Sequence, residues 1–184
     1  MAGGADPTRV VLVGFMACGK TTVGESLARR LGWTLVDMDA EIERAAGLSV
    51  AAIFQSRGEA FFREEERRLA LALQERDRVV VAAGGGAFAT PATRETLRRG
   101  AATVWLRCDL RIVLDRVRFD GSRPLAPDRE TIGRLFAERE PAYRLADLTV
   151  DASRRSPEAV AREIADNLFA SNAAAVDAGG RPDR

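Results

Sequence analysis

Apolar residues follow two spacings along this chain. Unbroken runs at Val10 to Val13, Thr34 to Val36, Val79 to Ala82, Ala102 to Leu106 and Leu148 to Val150 predict five short strands. Runs without polar interruption suit strands covered on both faces of a parallel sheet. Between them the apolar positions turn helical, as in Val23, Leu27 and Leu31, ending at Gly32. Asp39 reads as the cap of a helix through Ala46 that Gly47 ends, and Ser49 as the cap of another ending near Gly58. A longer helix is expected from about Glu59 to Glu75, and Thr90-Pro91 opens one closed by Gly100. Asp109 caps a helix carrying Leu110, Val113, Leu114 and Val117; one with Ile132, Leu135 and Phe136 stops near Pro141; Ser156-Pro157-Glu158 starts the last. This alternation predicts an α/β fold, a five-stranded parallel sheet with helices on both faces. Residues 118–128 mix Gly, Pro and Arg without periodicity and are expected to form a mobile lid. Residues 1–8 and 171–184 are expected to be disordered, leaving one domain at 9–170.

The first apolar run breaks into Gly14, Gly19, Lys20 and Thr21 at the spacing of a phosphate-binding loop. Glycines at both ends let the backbone curl so that successive N–H groups face a triphosphate. Lys20 can then reach the β and γ phosphates, and the Thr21 hydroxyl can coordinate Mg²⁺. The helix that follows presents its positive end to the same anion.

Charge narrows the rest. Twenty-eight basic residues against 27 acidic ones give a net charge of +1, which argues against bulk attraction to nucleic acid or a membrane surface. Lys20 is the only lysine. The absence of histidine removes imidazole general-base chemistry and leaves carboxylates as acid/base candidates. Cys18 and Cys108 are isolated thiols, which points to a reducing cytoplasm, and the N-terminus lacks a basic-then-apolar signal. Cys18 reads as a small loop side chain whose position near a lysine and a helix start favours the reactive thiolate.

A phosphate loop leaves the acceptor open. Asp37 and Asp39 stand two apart directly after the second run, so both carboxylates face one cleft at the carboxyl end of the sheet. One can hold a metal through water and the other can orient or deprotonate an acceptor hydroxyl. Gly84, Gly85 and Gly86 end the third run, either as a mobile turn or as a nest of N–H groups facing substrate. Arg63, with Glu59 and Glu66 at helical spacing, either makes an exposed ion pair or aims into the cleft; spacing does not choose. Arg123 is a mobile cation in the lid segment.

Taken in order, Gly-Phe-Met-Ala-Cys-Gly-Lys-Thr-Thr-Val-Gly, Asp-Met-Asp, Phe-Phe-Arg-Glu-Glu-Glu, Gly-Gly-Gly, Arg-Pro-Leu and Pro-Ala-Tyr-Arg resemble the shikimate kinase family over residues 9 to 169. The resemblance implies a P-loop kinase fold of the nucleoside monophosphate kinase type and transfer of the ATP γ-phosphoryl to the 3-hydroxyl of shikimate, with Mg²⁺, in aromatic amino-acid biosynthesis. It implies ATP contacts from Gly14, Phe15, Met16, Ala17, Cys18, Gly19, Lys20, Thr21 and Thr22, from Arg116 against adenine, and from Arg155 within the Asp151 to Pro157 segment. Thr21 and Asp37 match the metal residues, and Asp39 matches the aspartate on the shikimate hydroxyls. Arg63 and Arg144 match the carboxylate arginines, with Gly84, Gly85 and Gly86 beside them, while Arg123 matches the lid arginine. A monomeric cytoplasmic enzyme binding shikimate and ATP, with no nucleic-acid or membrane partner, is expected. A gluconate kinase-like enzyme and a non-catalytic nucleotide-binding module are the alternatives. A GTPase lacks support, since neither Asn167 nor Asn172 precedes a lysine.

Overall fold

The computed structural model describes residues 6–120, 124–126 and 128–177. Strands β1 (Arg9–Val13), β2 (Thr34–Asp37), β3 (Val79–Ala82), β4 (Ala102–Arg107) and β5 (Leu148–Asp151) form one parallel sheet in the order β2-β3-β1-β4-β5. The central strand pairs Val10 with Val80 on one side and with Ala102 on the other. Every residue of β1 and β3 is buried. Because alternate strand residues point to opposite faces, both faces of the sheet are covered, which is why these runs carry no polar positions.

Seven helices connect and cover the strands among the described residues: α1 (Lys20–Leu31), α2 (Met38–Ala46), α3 (Val50–Ala72), α4 (Pro91–Arg98), α5 (Leu110–Arg116), α6 (Arg129–Tyr143) and α7 (Pro157–Asp177). Ser49 caps α3 by accepting from Ala52 N at 3.2 Å. The break expected at Gly58 is present, for this residue leaves helical geometry at φ 80 and ψ 170, so α3 is two helices joined at a kink. That positive φ carries no Cβ penalty at glycine.

Four local expectations are corrected. Asp37, not Asp39, caps α2, its Oδ1 accepting from Asp39 N at 3.1 Å and Ala40 N at 3.3 Å. Asp109 occupies the cap position of α5 without a side-chain bond; its own N–H is taken by Ser153 Oγ at 3.2 Å. Helix α6 runs through Pro141 to Tyr143, because a proline in the last turn forfeits one backbone bond while Arg144 N still reaches Glu140 O at 3.1 Å. Helix α7 continues to Asp177, past the expected boundary at 170, through a stretch holding Ala173, Ala174 and Ala175, which favour helix. Residues 178–184 and 1–5 lie outside the described residues, as do 121–123 and 127 of the lid segment.

Two hydrophobic clusters result. The larger fills both sides of the sheet; a smaller one gathers Ile42, Ile53 and Phe62 from α2 and α3 beyond the ends of β2 and β3. At the N-terminal end of the central strand the buried Arg9 guanidinium donates to Leu73 O (2.7 Å), Gln74 O (2.8 Å) and Arg99 O (2.5 Å), closing the turns that enter β3 and β4.

Candidate active site

The loop after β1 turns back under β4. Gly14 has φ 139, and a Cβ there would stand 2.7 Å from Leu106 O. Gly19, at φ 93, starts α1 with no side-chain cap, so the first-turn N–H groups face the loop rather than a side chain. Lys20 Nζ donates to Gly14 O (3.0 Å) and Phe15 O (2.9 Å), which stores the cation against its own loop. Thr21 Oγ1 donates to Asp37 Oδ2 at 2.6 Å. The hydroxyl and carboxylate that the sequence assigns to a metal are therefore side by side.

These groups line a cavity of about 390 Å³ with Met16, Ala17, Gly19, Thr22, Asp39 and Arg116. Arg116 bridges Ala17 O (3.3 Å) and Ser153 O (3.2 Å), tying the phosphate loop to the segment after β5. Gly14, Phe15 and Cys18 do not line this cavity, and the Phe15 and Cys18 side chains are buried. The Phe15 ring packs edge-on against Phe136 at 5.3 Å. Burial of Cys18 removes the exposure that a reactive thiol needs. Arg155 does not line this cavity; it folds onto the start of α7, paired with Glu163 and donating to Ala159 O at 3.3 Å.

A second cavity of about 280 Å³ adjoins the first, and Met16, Asp39 and Gly85 line both. Its wall includes Phe54 and Phe62 from α3, with Arg63, Glu66 and Arg139, and Pro124, Leu125 and Ala126 from the lid segment. Arg63 is largely buried; its guanidinium meets Glu66 Oε2 at 2.6 Å and Glu59 Oε1 at 2.9 Å. Burial works against that charge, but Glu66 and Glu59 outweigh it and raise the Arg63 pKa. Glu66 is itself buried, and desolvation pushes its carboxyl up against the pull of Arg63. Its Oε1 has no hydrogen-bond partner.

The triple glycine follows from these neighbours. A Cβ on Gly84 would stand 2.6 Å from both Asp39 Oδ1 and Glu66 Oε1, and one on Gly86 would stand 2.6 Å from Arg63 Nη2. Glycine here makes room for two carboxylates and a guanidinium rather than supplying mobility.

Sequence and structure disagree on the second arginine. Arg144 is 64% exposed, pairs with Glu140 at 2.9 Å and lines neither cavity. Arg139 lines the acceptor cavity, its guanidinium 5.9 Å over the Phe15 ring. The reason is helical phase. Ile132, Phe136, Arg139 and Tyr143 follow one inward stripe of α6, while Arg144 is rotated about 100° beyond it. That stripe, into which Arg139 intrudes as a cation, was the available signal. Glu66 was also missed as a wall residue. Arg123 lies outside the described residues.

The sequence model of the shikimate kinase family matches residues 16–169. Shikimate kinases of Paramagnetospirillum magneticum and Moorella thermoacetica are each 43% identical to this chain, over 87% and 89% of it and 84% and 96% of their own lengths. The shikimate kinase from Acinetobacter baumannii, solved in complex with shikimate, is similar with a TM-score of 0.86 at 33% identity, covering 91% of this chain and 96% of that one. A gluconokinase from Sinorhizobium meliloti, at TM-score 0.56 and 19% identity over 92% of this chain and 99% of its own, shares the fold alone.

Proposed function

The chain belongs to the shikimate kinase family and is an ATP-dependent phosphotransferase, and from that premise we infer how its two joined cavities carry out the reaction. Shikimate occupies the cavity of about 280 Å³, its carboxylate between the Arg63 and Arg139 guanidiniums beside Gly85 and its hydroxyls toward Asp39. Two planar forks suit one carboxylate, and a largely enclosed anion needs its charge matched. Apolar Phe54, Phe62 and Val50 supply the ring surface.

ATP occupies the adjoining cavity with its phosphates on the loop from Gly14 to Thr22 and its adenine toward Arg116. Lys20 leaves the Gly14 and Phe15 carbonyls for the β and γ phosphates, an exchange of two neutral acceptors for anionic ones. The Thr21 hydroxyl and Asp37 carboxylate are hard oxygen donors on the phosphate side, a set that fits Mg²⁺ retaining most of its waters. When bound, the ion neutralises charge on the phosphates. Asp39, lining both cavities, accepts the hydrogen bond of the 3-hydroxyl and holds its oxygen in line with the γ phosphorus. The new bond joins that oxygen to phosphorus while the bond to the β,γ-bridging oxygen breaks, ADP leaves and the hydroxyl proton passes to the Asp39 carboxylate. The transition state is loose, so placement contributes more than basicity. Arg123 joins from the lid.

The observation that carries this reading is the meeting of the two cavities over Asp39, with Lys20 and Thr21 at one end and Arg63 and Arg139 at the other. Among the described residues no helix is long and apolar enough to cross a membrane, and we place the enzyme in the cytoplasm as a monomer. Arg139→Gln and Arg144→Gln test the carboxylate assignment. Losing a charge-assisted fork is worth about 1.5–3 kcal/mol, so Arg139→Gln raises the KM for shikimate about 10- to 100-fold, while Arg144→Gln stays within about twofold. The reverse ranking would refute the assignment.

A further inference from the structure

Tyr143 is a buried titratable group that phosphoryl transfer does not use. It follows Arg139 by one turn on α6, is 2% exposed, and its ring lies 6.3 Å from that of Trp105 on β4 at a tilt of 31°. Its hydroxyl donates to Gly85 O at 2.5 Å, and the Arg139 charge acts on the same side chain. Arg139 Nη1 also stands 3.7 Å from where a Gly85 Cβ would be, so Tyr143 lies behind two residues that line the acceptor cavity.

The chemistry of that point is selective. A guanidinium only donates and a carbonyl only accepts, so both can be joined through a single group that does each. A phenol is such a group: its proton goes to Gly85 O, which leaves its lone pairs available to a guanidinium. Burial pushes the phenol well above its ordinary pKa, and it keeps that proton throughout the working range. The Arg139 guanidinium also stands 5.9 Å over the face of Phe15, a contact that does not fix its rotation about the ring normal.

We propose that Tyr143 is a positioning residue for the acceptor carboxylate, its hydroxyl tying the Gly85 backbone to the Arg139 guanidinium so that the strand-end glycines and α6 present one preorganised anion receptor. The proposal rests on the reading that Arg139 faces the shikimate carboxylate. Without the hydroxyl, Arg139 keeps its charge but loses its aim, and the buried Gly85 carbonyl loses its donor. The loss falls on acceptor binding and spares the chemical step.

Tyr143→Phe removes one oxygen and leaves the ring against Trp105, so the fold is retained. Steady-state constants for both substrates are measured for this variant, for Arg139→Gln and for the double variant, together with the KM for shikimate methyl ester, whose carboxyl is uncharged. The expected result is a five- to tenfold rise in the KM for shikimate, with kcat, the KM for ATP and the KM for the ester each within twofold of wild type. In the Arg139→Gln background the second substitution adds less than twofold. An unchanged KM for shikimate in Tyr143→Phe overturns the proposal while leaving the carboxylate reading intact. Equal rises for shikimate and its ester, or full additivity with Arg139→Gln, reduce Tyr143 to a packing role and overturn it as well. If Arg139→Gln itself leaves the KM for shikimate unchanged, the carboxylate reading fails and the proposal falls with it.

Discussion

Gly86→Ala isolates the acceptor end of the site with a single methyl group. The backbone of Gly86 does not lie among the positive-φ positions, so alanine brings no conformational strain and acts by contact alone. Its Cβ would stand 2.6 Å from Arg63 Nη2 and 2.7 Å from Cζ, whereas ordinary contact begins near 3.4 Å. The guanidinium must therefore move by about 1 Å. Arginine is flexible, but this one is held by Glu66 at 2.6 Å and Glu59 at 2.9 Å, and moving it stretches a largely buried ion pair. A misplacement of about 1 Å at a binding group is worth up to roughly 100-fold, or about 2.7 kcal/mol. We expect kcat/KM for shikimate to fall about 30- to 100-fold, mostly through KM, with the KM for ATP within about twofold because the phosphate loop lies at the other end. The assay is initial-rate ADP release with each substrate varied in turn. Unchanged constants for shikimate, or equal losses for both substrates, would refute the reasoning.

Two further outcomes follow from the loop and from β5. Lys20→Met should lower kcat at least about 100-fold while leaving the thermal midpoint nearly unchanged, because at rest the ammonium bonds groups of its own loop, the Gly14 and Phe15 carbonyls and the Cys18 sulfur; an unfolded variant would contradict this. Asp151, held to about 2 by its hydrogen bond to Arg107 and then by Ser153, contributes stability that is fully present above the unfolded value of about 4 and is lost as pH falls through about 2. The pair is exposed, so unfolding free energies from urea titrations of wild type and Asp151→Asn should differ by no more than about 1 kcal/mol at neutral pH and converge between pH 4 and 2; a pH-independent gap would exclude the pairing.

What was legible in the chain was what is local. The unbroken run at Val10 to Val13 marked the covered central strand and Gly58 marked the break in α3, while Thr21 and Asp37, matched to metal residues by resemblance, lie side by side on one cavity. Even so, the cap of α2 was misplaced by two residues, since Asp37 and Asp39 both suit the role and only the strand's true end decides between them. Contacts between distant residues were not legible. Gly84 is glycine because Asp39 and Glu66, from two other elements, crowd its Cα. Arg9 reads as a charged residue before a strand, yet it is buried by carbonyls more than 60 positions away. Arg139 and Arg144 differ only in helical phase, and a motif matched by residue order put the carboxylate on the outward one.

The central claim is that one acceptor cavity delivers the shikimate hydroxyl to the γ-phosphoryl group of ATP. Its direct measurement is ADP release by the purified protein with Mg²⁺ and ATP, in the presence of shikimate, of gluconate or of neither. We expect release that saturates in shikimate with one equivalent of shikimate 3-phosphate formed per ADP, and only background release otherwise. Turnover with gluconate and none with shikimate would contradict the account.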